Sequence, residues 1–192
     1  MPRASAADAA RTAERVLESA TELFASRGFA DVSLEDVAHA AGVTRGAVYH
    51  HYRNKAGLFS AVAAMLQARV ADAVVAAAEH AGNGPVDQLR AGSHAFLDAI
   101  TSGAAVRILL IDAPAVVGWQ EWRRLDAQNS ESHLREAVQH AGVADGLLDA
   151  TTVQLSGAMN EAALWIARHE DTEAARAQAH AVLDRLLGAY LS

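Results

Sequence analysis

At 192 residues the chain is long enough to bury a sizeable core, and 52% hydrophobic residues with 20% charged ones exclude a disordered polymer. The absence of cysteine excludes disulfides and thiolate metal sites. The net charge of −7 is uneven: residues 1–60 hold seven Lys/Arg and seven Asp/Glu, so the whole acidic excess falls on residues 61–192.

Alanine dominates and arginine outnumbers lysine, and both choices favour helix. Residues 1–10 are small and polar and read as a frayed end. Arg3 and Arg11 there are either a phosphate-touching arm or incidental charges. A first helix is predicted from Thr12 to Ser26. Val16, Leu17, Ala20, Leu23 and Phe24 form its apolar stripe, and Glu14, Glu18 and Glu22 its solvated edge. Gly28 stops it.

The most informative stretch follows, from Val32 to Leu58. Ser33 is an N-cap, with Asp36 three residues on. Leu34, Val37, Ala38 and Ala41 recur at helical spacing, and Gly42 ends this short second helix. Thr44 is the next N-cap, and a third helix runs to about Tyr52. Ala47, Val48 and Tyr52 face inward on it, while Arg45, Gly46, Tyr49 and His50 face outward. Two short helices around a glycine turn, the second with a polar outer face, form the helix-turn-helix layout that enters the DNA major groove. Charge agrees with this reading. No acidic residue lies between Asp36 and Asp72, whereas Arg45, Arg53, Lys55, Arg69 and three histidines do, and such a clearing suits a polyanion.

A fourth helix is predicted from Asn54 to Glu79, with Leu58, Val62, Met65, Leu66 and Val70 on its buried side. Gly82-Asn83-Gly84-Pro85 is the strongest break in the chain. Further helices are expected over about Val86–Thr101, Ala104–Asp112, Val117–His140, Leu147–His169 and Thr172–Leu191, with Pro114 interrupting the path. No segment alternates with period two. The expected fold is therefore all-α: an N-terminal three-helix helix-turn-helix domain (residues 1–53) plus a C-terminal helical bundle (54–192), about nine helices in all.

Gly28-Phe29, Ser33, Val37-Ala38, Ala41-Gly42-Val43, Gly46, Val48-Tyr49, Tyr52, Lys55 and Leu58-Phe59 together resemble the DNA-binding domain of TetR-type transcriptional regulators. The resemblance covers about the first third of the chain. Gly57 departs from it, because family members often carry an acidic residue there.

The resemblance implies that Tyr49, His51 and Lys55 face the phosphate backbone. Ser33 and Thr44, at helix N-termini, are further phosphate candidates beyond their capping role, and His50 is a weaker one. Arg45 and Gly46 are the base-reading candidates: arginine offers two donors to guanine, and glycine permits close approach. The resemblance also implies a homodimer through the last two helices, a pseudo-palindromic operator and a small-molecule effector in the C-terminal bundle. Phe96, Ile100, Arg107, Ile108, Trp119, Trp122, Met159 and Asn160, with His94, are candidates to line its pocket; an ordinary core is the competing reading for each.

Adjacent His50 and His51 diverge by about 100° on a helix, and no H-x-x-x-H or H-E-x-x-H occurs, so no metal and no other cofactor is expected. Nucleophile-elbow, P-loop and dinucleotide motifs are missing from the sequence, and no enzyme activity is expected. No apolar run approaches the ~20 residues of a membrane span, and the start lacks a secretory apolar stretch, so a cytoplasmic location is expected. The function expected is a sequence-specific DNA-binding regulator, a repressor released by a ligand. The alternative is a helical ligand-binding or assembly protein with a vestigial helix-turn-helix.

Overall fold

A computed structural model of the chain describes residues 6–118 and 132–191. Helices account for the ordered elements, and no strand occurs among the described residues. They are α1 (Ala6–Arg27), α2 (Leu34–Ala40), α3 (Arg45–Tyr52), α4 (Lys55–His80), α5 (Pro85–Ile100), α6 (Gly103–Ala105), a π-helical segment (Val106–Asp112), α7 (Ala113–Val116), α8 (Ser132–His140), α9 (Asp145–Ala167) and α10 (Thr172–Tyr190). The chain packs as two compact units. Among the described residues the first contains 6–66 and 103–118, and the second 67–102 and 132–191, so the packing boundary falls inside α4.

The first unit is built on the apolar stripe of α1. Val16, Ala20 and Phe24 are fully buried, as are Val37 of α2, Val48 of α3 and Leu58, Phe59 and Val62 of α4. Phe24, Phe29 and Phe59 form an aromatic cluster with ring centroids 5.2–6.0 Å apart. Tyr52 leaves α3 to donate its hydroxyl to the Ala13 carbonyl at 2.9 Å, and burial raises the pKa of its phenol. Arg15 donates to the Ala41 carbonyl at the end of α2. These long-range bonds fix how α2 and α3 lie on α1.

Residues 104–112, expected as a plain helix, instead form one short α-turn followed by π-helical turns. The reason lies at Pro114, at the start of α7, which has no N–H to give to a preceding turn. Widening the turns lets Ala113 N–H reach Ile108 O and carries the chain past the proline. The helix expected to start at Val117 does not: Val117 ends α7, and Gly118 has φ +86°. The remainder of that expected helix up to residue 131 lies outside the described residues, and α8 covers its last turns.

The second unit packs α5 against α8, α9 and α10. Its core holds Leu89, Phe96, Leu97 and Ile100 from α5, Val138 from α8, Leu148, Leu155, Met159, Ala163 and Ile166 from α9, and Ala175, Leu183 and Leu187 from α10. Apolar spacing at three and four residues in all four helices dictates this arrangement.

By length and composition α4 is the one described helix apolar enough to cross a membrane. It carries Arg69 and Asp72 in that run, and its Leu58, Phe59, Val62, Ala63, Leu66 and Val70 are buried within the protein. A core helix gives the same signal.

Candidate nucleic-acid interface and effector cavity

Local capping builds the helix-turn-helix. Ser33 Oγ accepts from Asp36 N at 3.1 Å, and Asp36 Oδ2 accepts from Ser33 N at 2.8 Å, a reciprocal capping box. The hydroxyl also donates to Asp36 Oδ2 at 2.7 Å. These bonds from Ser33, helped by Arg27, hold the Asp36 carboxyl below the usual carboxylate range. Gly42, at φ +63°, turns the chain, and Val43 N–H returns to Ala38 O at 2.9 Å. Thr44 Oγ1 then accepts from Ala47 N at 3.2 Å and starts α3.

On α3, Val48 is fully buried, while Arg45, Gly46, Tyr49 and His50 are exposed. Positions i, i+1, i+4 and i+5 of a helix share one side, so these four make one outward stripe. Tyr49 is 62% exposed, far from the core role that a tyrosine commonly has. A Cβ added at Gly46 would find nothing nearer than 3.8 Å, so packing within the fold does not demand this glycine. Close approach of a partner gives it a use. His50 and His51 meet edge to face with centroids 5.6 Å apart, and the described residues contain no cluster of three metal-ligating groups.

Two expected phosphate contacts are placed differently. Lys55 turns inward: Nζ donates to the carbonyls of Phe29, Ala30 and Val32 at 2.6, 3.1 and 2.8 Å, and it lies 4.4 Å from the Phe29 ring centre. An ammonium has three donors, and all three are committed to the fold. At the start of α2, the Asp36 carboxylate already occupies the position by Ser33, where a phosphate would meet like charge. Thr44, with no carboxylate in its cap, leaves the N-terminus of α3 free of that repulsion.

The sequence argument counted Arg53 only within the basic clearing, without assigning it a contact, and did not single out Glu35. Arg53 is exposed, ends α3 and is the one described non-glycine residue with positive φ, +66°. Glu35 pairs with Arg45 at 2.6 Å. Glu35 and Arg45 flank the turn in sequence, so their pairing was in principle readable from the layout.

In the second unit a cavity of about 270 Å³ opens between the later turns of α4 and helices α5, α8 and α9. Phe96, Met159 and Asn160, expected to line a pocket, do so, together with Leu89, Gly92, Ser93 and Ser156. Ile100, Arg107 and Ile108 do not. Ile100 is buried in the core of α5. Ile108 is fully buried in the first unit, and Arg107 reaches the end of α1 there, 3.7 Å from Asp112 and 3.4 Å from the Arg27 carbonyl. Trp119 and Trp122 lie outside the described residues. His94 is turned to α10: its Nε2 is 2.9 Å from Asp184 Oδ1, and its ring stacks on His180 at 4.1 Å.

Helices α9 and α10 also present an apolar groove, with Trp165, Val182 and Leu186 exposed beside Ala158, Ala162 and Ala179.

Two family models match the chain. The one described as bacterial regulatory proteins, tetR family, matches residues 16–62. The one described as tetracyclin repressor-like, C-terminal domain, matches residues 86–190. A TetR-family transcriptional regulator of known structure from Pectobacterium atrosepticum is 31% identical, with 97% of each chain covered and a TM-score of 0.78. The HTH-type transcriptional regulator SrpR of Pseudomonas putida is 43% identical over 67 residues, 35% of this chain and 32% of that protein. The probable acrEF/envCD operon repressor of Escherichia coli K12 is 42% identical over 60 residues, 31% of this chain and 27% of that protein. The match thus spans about a third of the length of these curated relatives.

Proposed function

The chain belongs to the TetR family of bacterial regulatory proteins, and we propose that it is a sequence-specific repressor released from its operator by a small molecule. The observation that carries the DNA-binding half is the exposed stripe of α3, with Arg45, Gly46, Tyr49 and His50 standing on a capped and buried base. Arg45 reads a base, and Tyr49, Thr44 and His51 position the backbone. Arg53 joins the phosphate set in place of Lys55.

The groove on α9 and α10 supports a homodimer, because Trp165, Val182 and Leu186 are large apolar groups left in water by the single chain. Two copies present two recognition helices, which suits half-sites ~34–36 Å apart or a multiple of that.

The cavity supports ligand control. α4 contributes Leu58 and Phe59 to the core around the helix-turn-helix and Ala71, Val74, Val75 and Ala78 to the cavity wall, so one continuous helix borders both. Coupling of this kind changes DNA affinity by ~1–3 kcal/mol, a several-fold to hundredfold effect. Repression requires only that a bound dimer occlude a promoter. The test is a reporter gene placed behind DNA that the protein retains: expression falls when the chain is co-expressed. A reporter left unaffected, or raised, would overturn the repressor assignment.

A further inference from the structure

We propose that Asp112 and Arg107, which lie outside the helix-turn-helix, are positioning residues for it, and that the π-helical register of residues 106–112 brings them into place. These roles rest on α3 being the DNA reader, and they do not depend on an effector. Every contact involved falls within the first unit.

Asp112 holds the loop between α1 and α2. Its side chain is only 17% exposed, and Oδ2 accepts the Phe29 backbone N–H at 3.1 Å, across 83 residues of sequence. The Phe29 carbonyl, with those of Ala30 and Val32, is taken by Lys55 Nζ. The loop is therefore gripped on its N–H side from the π-helical segment and on its carbonyl side from α4. Ser33 follows at once as the N-cap of α2. The grip thus sets where α2 begins and, through the Gly42 turn, where α3 begins. A carboxylate accepting a backbone N–H is among the stronger bonds open to a loop.

Arg107 completes the grip. Its Nε stands 3.7 Å from Asp112 Oδ2, and its Nη2 3.4 Å from the Arg27 carbonyl at the C-terminal end of α1. The cation offsets the charge of the carboxylate and meets the negative end of the α1 dipole. Gly28 leaves room for it, because a Cβ there would run into the guanidinium, with Cζ 2.9 Å away. The φ of +83° at Gly28 asks for glycine on separate grounds, so two independent demands fall on that position.

Register decides whether the two side chains meet. Bonds spanning five residues put Arg107 and Asp112 one turn apart on a common side. In an α-helix, five residues advance by about 140° past a full turn, which would carry Asp112 away from the side that Arg107 faces. Ile111, 59% exposed, would then be the residue one turn on from Arg107. Widened turns recur at functional positions. Here Pro114 imposes the widening, and the latch on Phe29 is its result.

The test measures two quantities on the full chain. One is exchange of the Phe29 amide proton by NMR. The other is affinity, over a salt series, for the DNA that the unsubstituted chain enriches from a genomic library. Asp112→Ala is expected to speed Phe29 exchange and to weaken binding about tenfold on every operator variant alike. The salt slope is expected to stay the same, because no phosphate contact is removed. Asp112→Asn keeps an acceptor oxygen and is expected to recover part of both effects; it carries the same two readings if Asp112→Ala does not fold. The double variant Ile111→Asp, Asp112→Ile moves the acid to the spacing an α-helix requires, and is expected to behave like Asp112→Ala. If Asp112→Ala binds the enriched operator as tightly as the unsubstituted chain, the positioning role falls and the α3 reading stands. Unchanged Phe29 exchange removes the latch itself. Undiminished binding and protection in the double variant overturn the register requirement. An unsubstituted chain that enriches no sequence overturns the α3 reading, and the positioning roles with it.

Discussion

Glu35 Oε1 lies 2.6 Å from Arg45 Nη1, joining the start of α2 to the start of α3 across the helix-turn-helix. Both groups are more than half exposed, so the pair adds little stability. Its effect is directional: the carboxylate gives the guanidinium proposed to read a base a preferred direction before DNA arrives. Arg45→Ala is expected to cost ~1–3 kcal/mol on the preferred base and to relax preference at that position alone. Tyr49→Phe is expected to weaken all sequences alike. Competition between operators with single base changes separates the two, and equal loss of specificity in both variants would contradict the roles.

Lys55 belongs to the fold. Lys55→Ala would leave the carbonyls of Phe29, Ala30 and Val32 without their shared donor. A loss of about 1–3 kcal/mol in unfolding free energy is expected, read from the denaturant midpoint. A variant of unchanged stability that only lost DNA affinity would restore Lys55 to the phosphate set.

The junction between α3 and α4 is tight. Asn54 N–H bonds back to Tyr52 O at 2.8 Å across Arg53, whose φ of +66° and ψ of −48° make this a strained γ-turn. The same Tyr52 carbonyl closes on Gly57, where a Cβ could not fit without moving backbone, while Asn54 Oδ1 accepts from Gly57 N at 2.7 Å. Gly57→Ala is expected to destabilise by about 1–3 kcal/mol. Arg53→Gly is expected to gain stability, by about 1 kcal/mol, and to lose DNA affinity at all sequences. Thermal unfolding and salt-dependent DNA titration read the two effects separately.

Burial and the neighbouring His94 lower the pKa of His180 from its ordinary 6.5, against the opposing pull of Asp98. Asp98 lies 3.1 Å from Nε2, and Arg176 and the His94–Asp184–Arg90 chain surround the pair. A lowered folded-state pKa means that the unfolded chain binds the proton more readily. The stability contributed by neutral His180 is therefore complete above pH 6.5 and declines as pH falls through and below that value. The melting temperature is expected to drop on acidification across this window. His180→Gln is expected to make the drop shallower, and an unchanged slope would contradict the assignment.

The helix-turn-helix was legible because its signals are local: Ser33, Gly42 and Thr44 each act within a few residues. The outward stripe of α3 follows from spacing alone. The inward role of Lys55 was not legible because a lysine in a clearing without acids reads as surface, while the three carbonyls it serves come from a loop more than 20 residues earlier. Gly57 looked like a missing acid, and only the path of Tyr52 O reveals the need for glycine. Arg107 and Ile108 sit in an apolar run whose periodicity does not say which neighbour it meets; packing onto α1 decided it. Pro114 announced an interruption, but not that the preceding turns would widen.

The most direct measurement is selection of binding sites from a fragmented genomic library by the full chain, at a fixed and moderate salt concentration. The account expects an enriched pseudo-palindrome whose half-sites lie one or more helical turns apart, ~34–36 Å or a multiple. Retention without sequence enrichment, or no retention, would contradict a sequence-specific dimeric reader on α3.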